Sequence, residues 1–214
     1  MIFSITKTVM LFLLGLVGLV IAIKYTAGTS TRATQAAQPV ALLAPEEVSA
    51  ERGKRLVIGG ACHDCHSPKL MTPEGPKVDS SRILSGHPAD APVPEIDPKA
   101  LKPGSWILFA PDLTSFVGPW GLSYAANITS DSATGIGAWS EANFVNAIRT
   151  GKHMGMEGGR RISPPMPWDN YNNLTDAELK SIFAYLKTTK PISNRVHEPY
   201  SPEEVKELLK KKKP

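Results

Sequence analysis

Cys62-His63-Asp64-Cys65-His66 constrains this chain more than any other stretch. It reads C-x-x-C-H, and the chain's only two cysteines both lie in it. Two thiols at this spacing can each add to one vinyl group of the same porphyrin. The histidine that follows is then placed beneath the iron as its proximal ligand. A thioredoxin-like redox pair has the same C-x-x-C spacing but belongs in a βαβ pattern, and none surrounds it here. A structural zinc site needs four ligands, whereas His87, His153 and His197 are scattered singly. A Cys62–Cys65 disulfide closes too short a loop to stabilise a domain. Covalent haem is the reading that uses His66, and His63 is a spacer between the anchoring sulfurs.

The N-terminus has a different character. From Ile2 to Ile23 the only charge is Lys7, and Val9–Ile23 is uninterrupted apolar or glycine. Such a run is a signal-peptide core or a membrane anchor. Lys24 follows at once, no A-x-A cleavage site comes after it, and Lys24-Tyr25 resembles an interfacial anchor. Residues 1–25 are therefore expected to form an uncleaved transmembrane helix. Residues 26–45, rich in Ala, Thr, Ser and Gln, are expected to form a flexible linker.

Beyond the linker the pattern is helical at both ends of a loop-rich middle. A helix is expected over Pro45–Ala61, opened by Ser49 or Pro45, running into the haem motif. Ser140–Thr150 reads as a second, with Ser140 as N-cap and Gly151 as the residue that ends it. Thr175–Thr188 is the clearest: Thr175 and Glu178 make a capping-box pattern, and Leu179, Ile182, Phe183 and Leu186 recur at helical spacing. A short last helix follows Ser201-Pro202 and ends in Lys210–Lys213. Ser67–Gly137 has no strong periodicity and many prolines. Its aromatic residues, Trp106, Phe109, Phe116, Trp120 and Tyr124, argue against disorder.

A haem iron with one axial histidine is either open or closed by a second ligand. Met154, Met156 and Met166 are the candidate methionines. Met166 lies in Pro164-Pro165-Met166-Pro167-Trp168, where prolines stiffen the chain. Met154 and Met156 are flanked by glycine.

C-x-x-C-H after an N-terminal helix, then a methionine loop, then a capped helix ending Ala184-Tyr185-Leu186, resembles class I cytochromes c over about residues 46–195. Asn127-Ile128-Thr129-Ser130-Asp131, Thr134-Gly135-Ile136-Gly137-Ala138-Trp139-Ser140, Arg149-Thr150-Gly151 and the P-P-M-P-W block sharpen the likeness. They are similar to the cytochrome domains of membrane-bound bacterial dehydrogenases. The resemblance implies an all-α fold with the first and last helices crossing near Gly53 or Gly59 and Tyr185. It also implies one covalent haem c on Cys62 and Cys65, with His66 and Met166 as iron ligands. The gap from Cys65 to Met166 is wider than in small class I cytochromes, so a long Pro/Gly/Trp-rich insertion is expected. Pro68 is the candidate whose carbonyl orients His66. Trp106, Trp139 and Arg149 are the candidates for the haem propionates.

Net charge is +4, but residues 46–195 hold 16 basic and 16 acidic side chains. The surplus lies at the ends, including a basic tail over 196–214. A neutral body gives little long-range steering, and nothing points to nucleic acid. The expected function is single-electron transfer between a membrane respiratory or dehydrogenase complex and an acceptor such as a terminal oxidase. The alternative is a haem-based ligand-binding or sensor protein. Haem attachment to c-type cytochromes takes place outside the cytoplasm. The resemblance therefore places the chain in the inner membrane, contacting the bilayer through the N-terminal helix, with its haem domain on the periplasmic face.

Overall fold

The computed structural model describes residues 47–211. The expected anchor and linker lie outside them. No helix among the described residues is long and apolar enough to cross a membrane, so the expected single-pass placement in the inner membrane finds no support among them.

Helix α1, Ala50–Gly59, is opened by Ser49, whose hydroxyl accepts the Arg52 N–H at 3.3 Å. A one-turn helix α2, Cys62–His66, follows directly. Helix α3, Glu141–Thr150, is capped by Ser140 and ended by Gly151 in the left-handed region, as its sequence predicts. Helix α4 is the short Trp168–Tyr171. Helix α5, Asp176–Lys187, has the predicted capping box: Thr175 Oγ1 accepts the Glu178 N–H at 3.2 Å, and the Glu178 carboxylate accepts the Thr175 N–H at 2.8 Å. Helix α6, Pro202–Lys211, is last.

Helices α1 and α5 cross at Gly53. A Cβ there would lie 1.8 Å from the Ser181 carbonyl oxygen, so only glycine lets the two backbones meet. Gly59, the other candidate, faces open space. Arg52 and Glu178 pair at 3.0 Å beside the crossing. The Ser49 N–H donates to Ser181 Oγ at 3.1 Å. Beneath it, Val57, Leu84, Ile136, Phe144, Ile148, Leu179, Ile182, Phe183 and Leu186 form the main core.

The fold is not all-α. The region expected to be loop holds five strands in two small antiparallel sheets. Strands β1, Lys69–Thr72, and β2, Gly75–Val78, form a hairpin. Strands β3, Leu108–Phe109, β4, Ser115–Gly118, and β5, Gly121–Tyr124, form a three-stranded meander. The strands escape sequence reading because each has at most four residues, too few to display a period. In β4 all four residues are buried, so no alternation exists to be read.

Both excursions leave and return at one place. The Asp79 N–H to Pro68 carbonyl bond, 2.8 Å, closes the hairpin. The His87 N–H to Ala125 carbonyl bond, 2.9 Å, closes the larger excursion of residues 88–124. That excursion has its own core of Ala100, Leu101, Val117, Leu122 and Val205. Val205 comes from α6 and is fully buried, so the last helix is part of this second core. Leu122 and Tyr200 exchange backbone hydrogen bonds of 2.9 Å, which fix the approach of α6 to β5.

Gly53→Ala should destabilise the protein by about 1–3 kcal/mol through forced separation of α1 and α5, measured by denaturant unfolding. The Thr175 N–H, with Arg52 adding to it, holds the Glu178 carboxyl below the usual carboxylate range. A depressed folded pKa adds stability above the unfolded value, and that stability is lost as pH falls through the folded one. Glu178→Ala should therefore cost about 1 kcal/mol at neutral pH. The gap in Tm to the wild type should close as pH drops below about 4.

Candidate haem site

The attachment segment is made by a sharp turn. Ala61 takes φ 56° between α1 and α2, which ends one helix and starts the next without a linker. One turn of α2 places Cys62 and Cys65 at i and i+3, on one face, with His66 next. Both cysteines are unpaired and half-buried, and Cys62 packs on the main core. Burial pushes the Cys62 thiol up to about 11 and raises that of Cys65 as well.

His66 is buried, and its Nδ1 lies 2.7 Å from the Ala126 carbonyl oxygen. A carbonyl only accepts, so Nδ1 carries the proton and Nε2 keeps its lone pair. Burial, the largest influence, also lowers the His66 pKa and keeps the ring neutral. Two neutral thiols on one face and an imidazole with a bare Nε2 are the donor set that covalent haem needs. The residues present fit the group.

The orienting carbonyl is not the expected one. The Pro68 carbonyl is taken by Asp79, and Ala126 serves His66 instead. A backbone carbonyl leaves no residue-type signal, so the sequence could not name it. Ala126 is held by its neighbours. Ala125 pairs with His87, and Ile128 donates to the Leu84 carbonyl at 3.0 Å. Asn127 accepts from the Thr129 N–H and hydroxyl at 3.0 and 2.7 Å and donates to the Ile192 carbonyl at 2.8 Å. The N-I-T-S-D and T-G-I-G-A-W blocks form one locked loop. A Cβ on Gly135 would meet Thr129 at 2.4 Å, and one on Gly137 would meet Ser130 at 2.1 Å.

Met166 is half-buried at the start of the turn into α4, whereas Met154 and Met156 are exposed. Two residues that sequence reasoning had not assigned to the site hold the loop around Met166. The Tyr171 hydroxyl donates to the Gly60 carbonyl at 2.5 Å and so ties α4 to the turn before Cys62. Ser123 Oγ donates to the Pro164 carbonyl at 2.6 Å.

The three propionate candidates separate. Trp106 is 88% exposed, on the outer excursion. Arg149 is engaged with the protein: its guanidinium donates to the Asn172 and Leu174 carbonyls and to Asp176 at 2.7 Å. It clamps α3 to the chain between α4 and α5. Trp139 is half-buried against the main core, edge-on to His153 at 5.8 Å.

Residues 50–190 match the cytochrome c family model. The chain is 40% identical over 75 residues to the fructose dehydrogenase cytochrome subunit of Gluconobacter japonicus, a match covering 35% of this chain and 15% of that protein. It is 37% identical over 67 residues to the gluconate 2-dehydrogenase cytochrome c subunit of Pantoea cypripedii, covering 31% and 14%. It is 30% identical over 82 residues to the cytochrome c subunit of the quinone-type alcohol dehydrogenase of Gluconacetobacter polyoxogenes, covering 38% and 17%. The matched part is thus a small share of each relative's length. The chain belongs to the cytochrome c family and carries covalently attached haem c.

Gly151 couples α3 to the residue that follows the methionine loop. Its φ is 64°, and a Cβ there would lie 2.4 Å from the Trp168 ring. Gly151→Ala should cost about 1–3 kcal/mol. Unfolding followed by tryptophan fluorescence checks it, with a shifted native emission as the second expected sign.

Proposed function

We propose that this chain is a single-haem electron carrier whose iron is held by His66 and Met166. It takes electrons from a substrate-oxidising dehydrogenase and passes them to a downstream acceptor such as a terminal oxidase. The observation that carries the reading is the buried, neutral His66 with Nδ1 tied to Ala126 on the same helical turn as two unpaired cysteines. The bound haem supplies an iron that gains and loses one electron.

The chain's own residues do the rest. Cys62 and Cys65 fix the group to α2. Ala126 sets the tautomer and ring plane of His66, so Nε2 stays available in both oxidation states. The proline-stiffened loop would offer the Met166 thioether as the iron's second protein ligand. A second protein ligand favours electron transfer over the binding of small molecules, and a thioether raises the potential. Trp139 is the donor proposed for a propionate. The dehydrogenase partner is taken from the relatives, which are cytochrome subunits of such enzymes.

Met166→His should abolish the weak sulfur-to-iron band at the red edge of the oxidised spectrum and lower the midpoint potential. Met154→Leu and Met156→Leu should leave both unchanged. If a Met154 or Met156 variant loses the band while the Met166 variant keeps it, the ligand assignment is wrong. Rapid CO binding by the reduced wild type at neutral pH would favour a ligand sensor over an electron carrier.

A further inference from the structure

Strand β5 stands between the second core and the Met166 loop. Its side chains alternate. Leu122 and Tyr124 turn to the second core, and Ser123 turns the other way. Ser123 is 2% exposed. Its hydroxyl accepts the Trp120 indole N–H at 3.0 Å and donates to the Pro164 carbonyl at 2.6 Å. The Trp120 ring lies over Gly118, where a Cβ would come within 2.3 Å of it. The relay is therefore fixed at its start by a glycine, along its length by strand pairing, and at its end by the loop.

The loop needs an outside anchor. Pro164, Pro165 and Pro167 carry no N–H, so Met166 has the one backbone donor between Ser163 and Trp168. That donor reaches Ser163 at a long 3.3 Å. Among the described residues, Ser123 makes the only hydrogen bond that reaches residues 163–167 from outside 163–171.

We propose that Ser123, oriented by Trp120, is a positioning residue for the distal side of the haem. Through Pro164 it holds the Met166 loop against release, and the 88–124 excursion is the scaffold that carries it. This rests on Met166 being the distal ligand. The brace resists displacement of the thioether by an outside ligand.

The test is imidazole binding to the oxidised holoprotein, read from the visible spectrum. Ser123→Ala leaves the Pro164 carbonyl and the Trp120 N–H without partners, and the imidazole Kd should fall about tenfold. Trp120→Phe keeps the ring over Gly118 and removes its donor, and should shift Kd the same way by less. Val205→Ala weakens the second core without touching the relay. It should lower Tm and leave Kd within about twofold of wild type. A Ser123→Ala Kd equal to wild type overturns the proposal, as does a Val205→Ala shift as large as that of Ser123→Ala. Met166→Ala separates the two levels. If it leaves the visible spectrum of the wild type intact, the ligand assignment itself is wrong and the brace falls with it. If it removes the sulfur-to-iron band while Ser123→Ala changes nothing, only the brace is wrong.

Discussion

The hydrogen bond from His66 Nδ1 to the Ala126 carbonyl is the constraint on which the rest of the structure is built. It is short, 2.7 Å, and partly buried, and it decides which nitrogen of the ring is free. A carbonyl on a loose loop could not do this, because each shift of the loop would rotate the ring. Here the loop is over-determined. Residues 84–87 lie between α2 and residues 125–128: Gly86 donates to the His66 carbonyl at 2.8 Å, while His87 and Ile128 bond across at 2.9 and 3.0 Å. Asn194 reinforces the same layer, donating to the Ser85 and His87 carbonyls at 2.7 and 2.8 Å. The α1–α5 crossing then presses α2 against this layer through the main core.

The wide gap between the two proposed ligands follows the same logic. An excursion that begins and ends at one backbone pair, His87 and Ala125, can be long without displacing what flanks it, because loop closure grows only slowly with length. Ordering it is a separate cost, and its own burial must meet that cost. Ala100, Leu101, Val117 and Leu122 are a small core by themselves. Val205 from α6 completes it. The family match stops at residue 190, and α6 begins at Pro202. The last helix and the excursion form one discontinuous module that shares a core of its own.

Legibility from sequence followed the physics of each element. Helices α3 and α5 were readable because caps and period agree over ten or twelve residues: Ser140 and Gly151 bracket the first, and Thr175 and Glu178 open the second. Gly53 was readable only as one of two glycines, since close approach depends on which face meets α5. The strands were not readable, because β4 is buried on both faces and the rest are four residues or fewer. Among the site residues, Cys62, Cys65 and His66 announce themselves by spacing. Pro68 failed as a choice because the acceptor is a main-chain atom sixty residues from the histidine. The carbonyl partners of Arg149 were not readable either, because a charge in a family-like block says nothing about which main-chain oxygens it will meet.

The proposed ligand loop shows why those carbonyls matter. A segment stiffened by prolines loses conformational entropy cheaply but loses its donors too, so it cannot be secured by a backbone ladder. What it retains is acceptors. The anchors around it are therefore side-chain donors bound to main-chain oxygens. Ser123 reaches Pro164, Tyr171 carries the loop's exit to Gly60, and Arg149 holds Asn172 and Leu174. Each donor comes from a different part of the fold: the second module, the loop's own helix, and α3. Stiffness alone would fix the shape of the loop and not its place. The bonds from these three residues supply the place, which a thioether, a weak ligand, requires if it is to remain on the iron in both oxidation states.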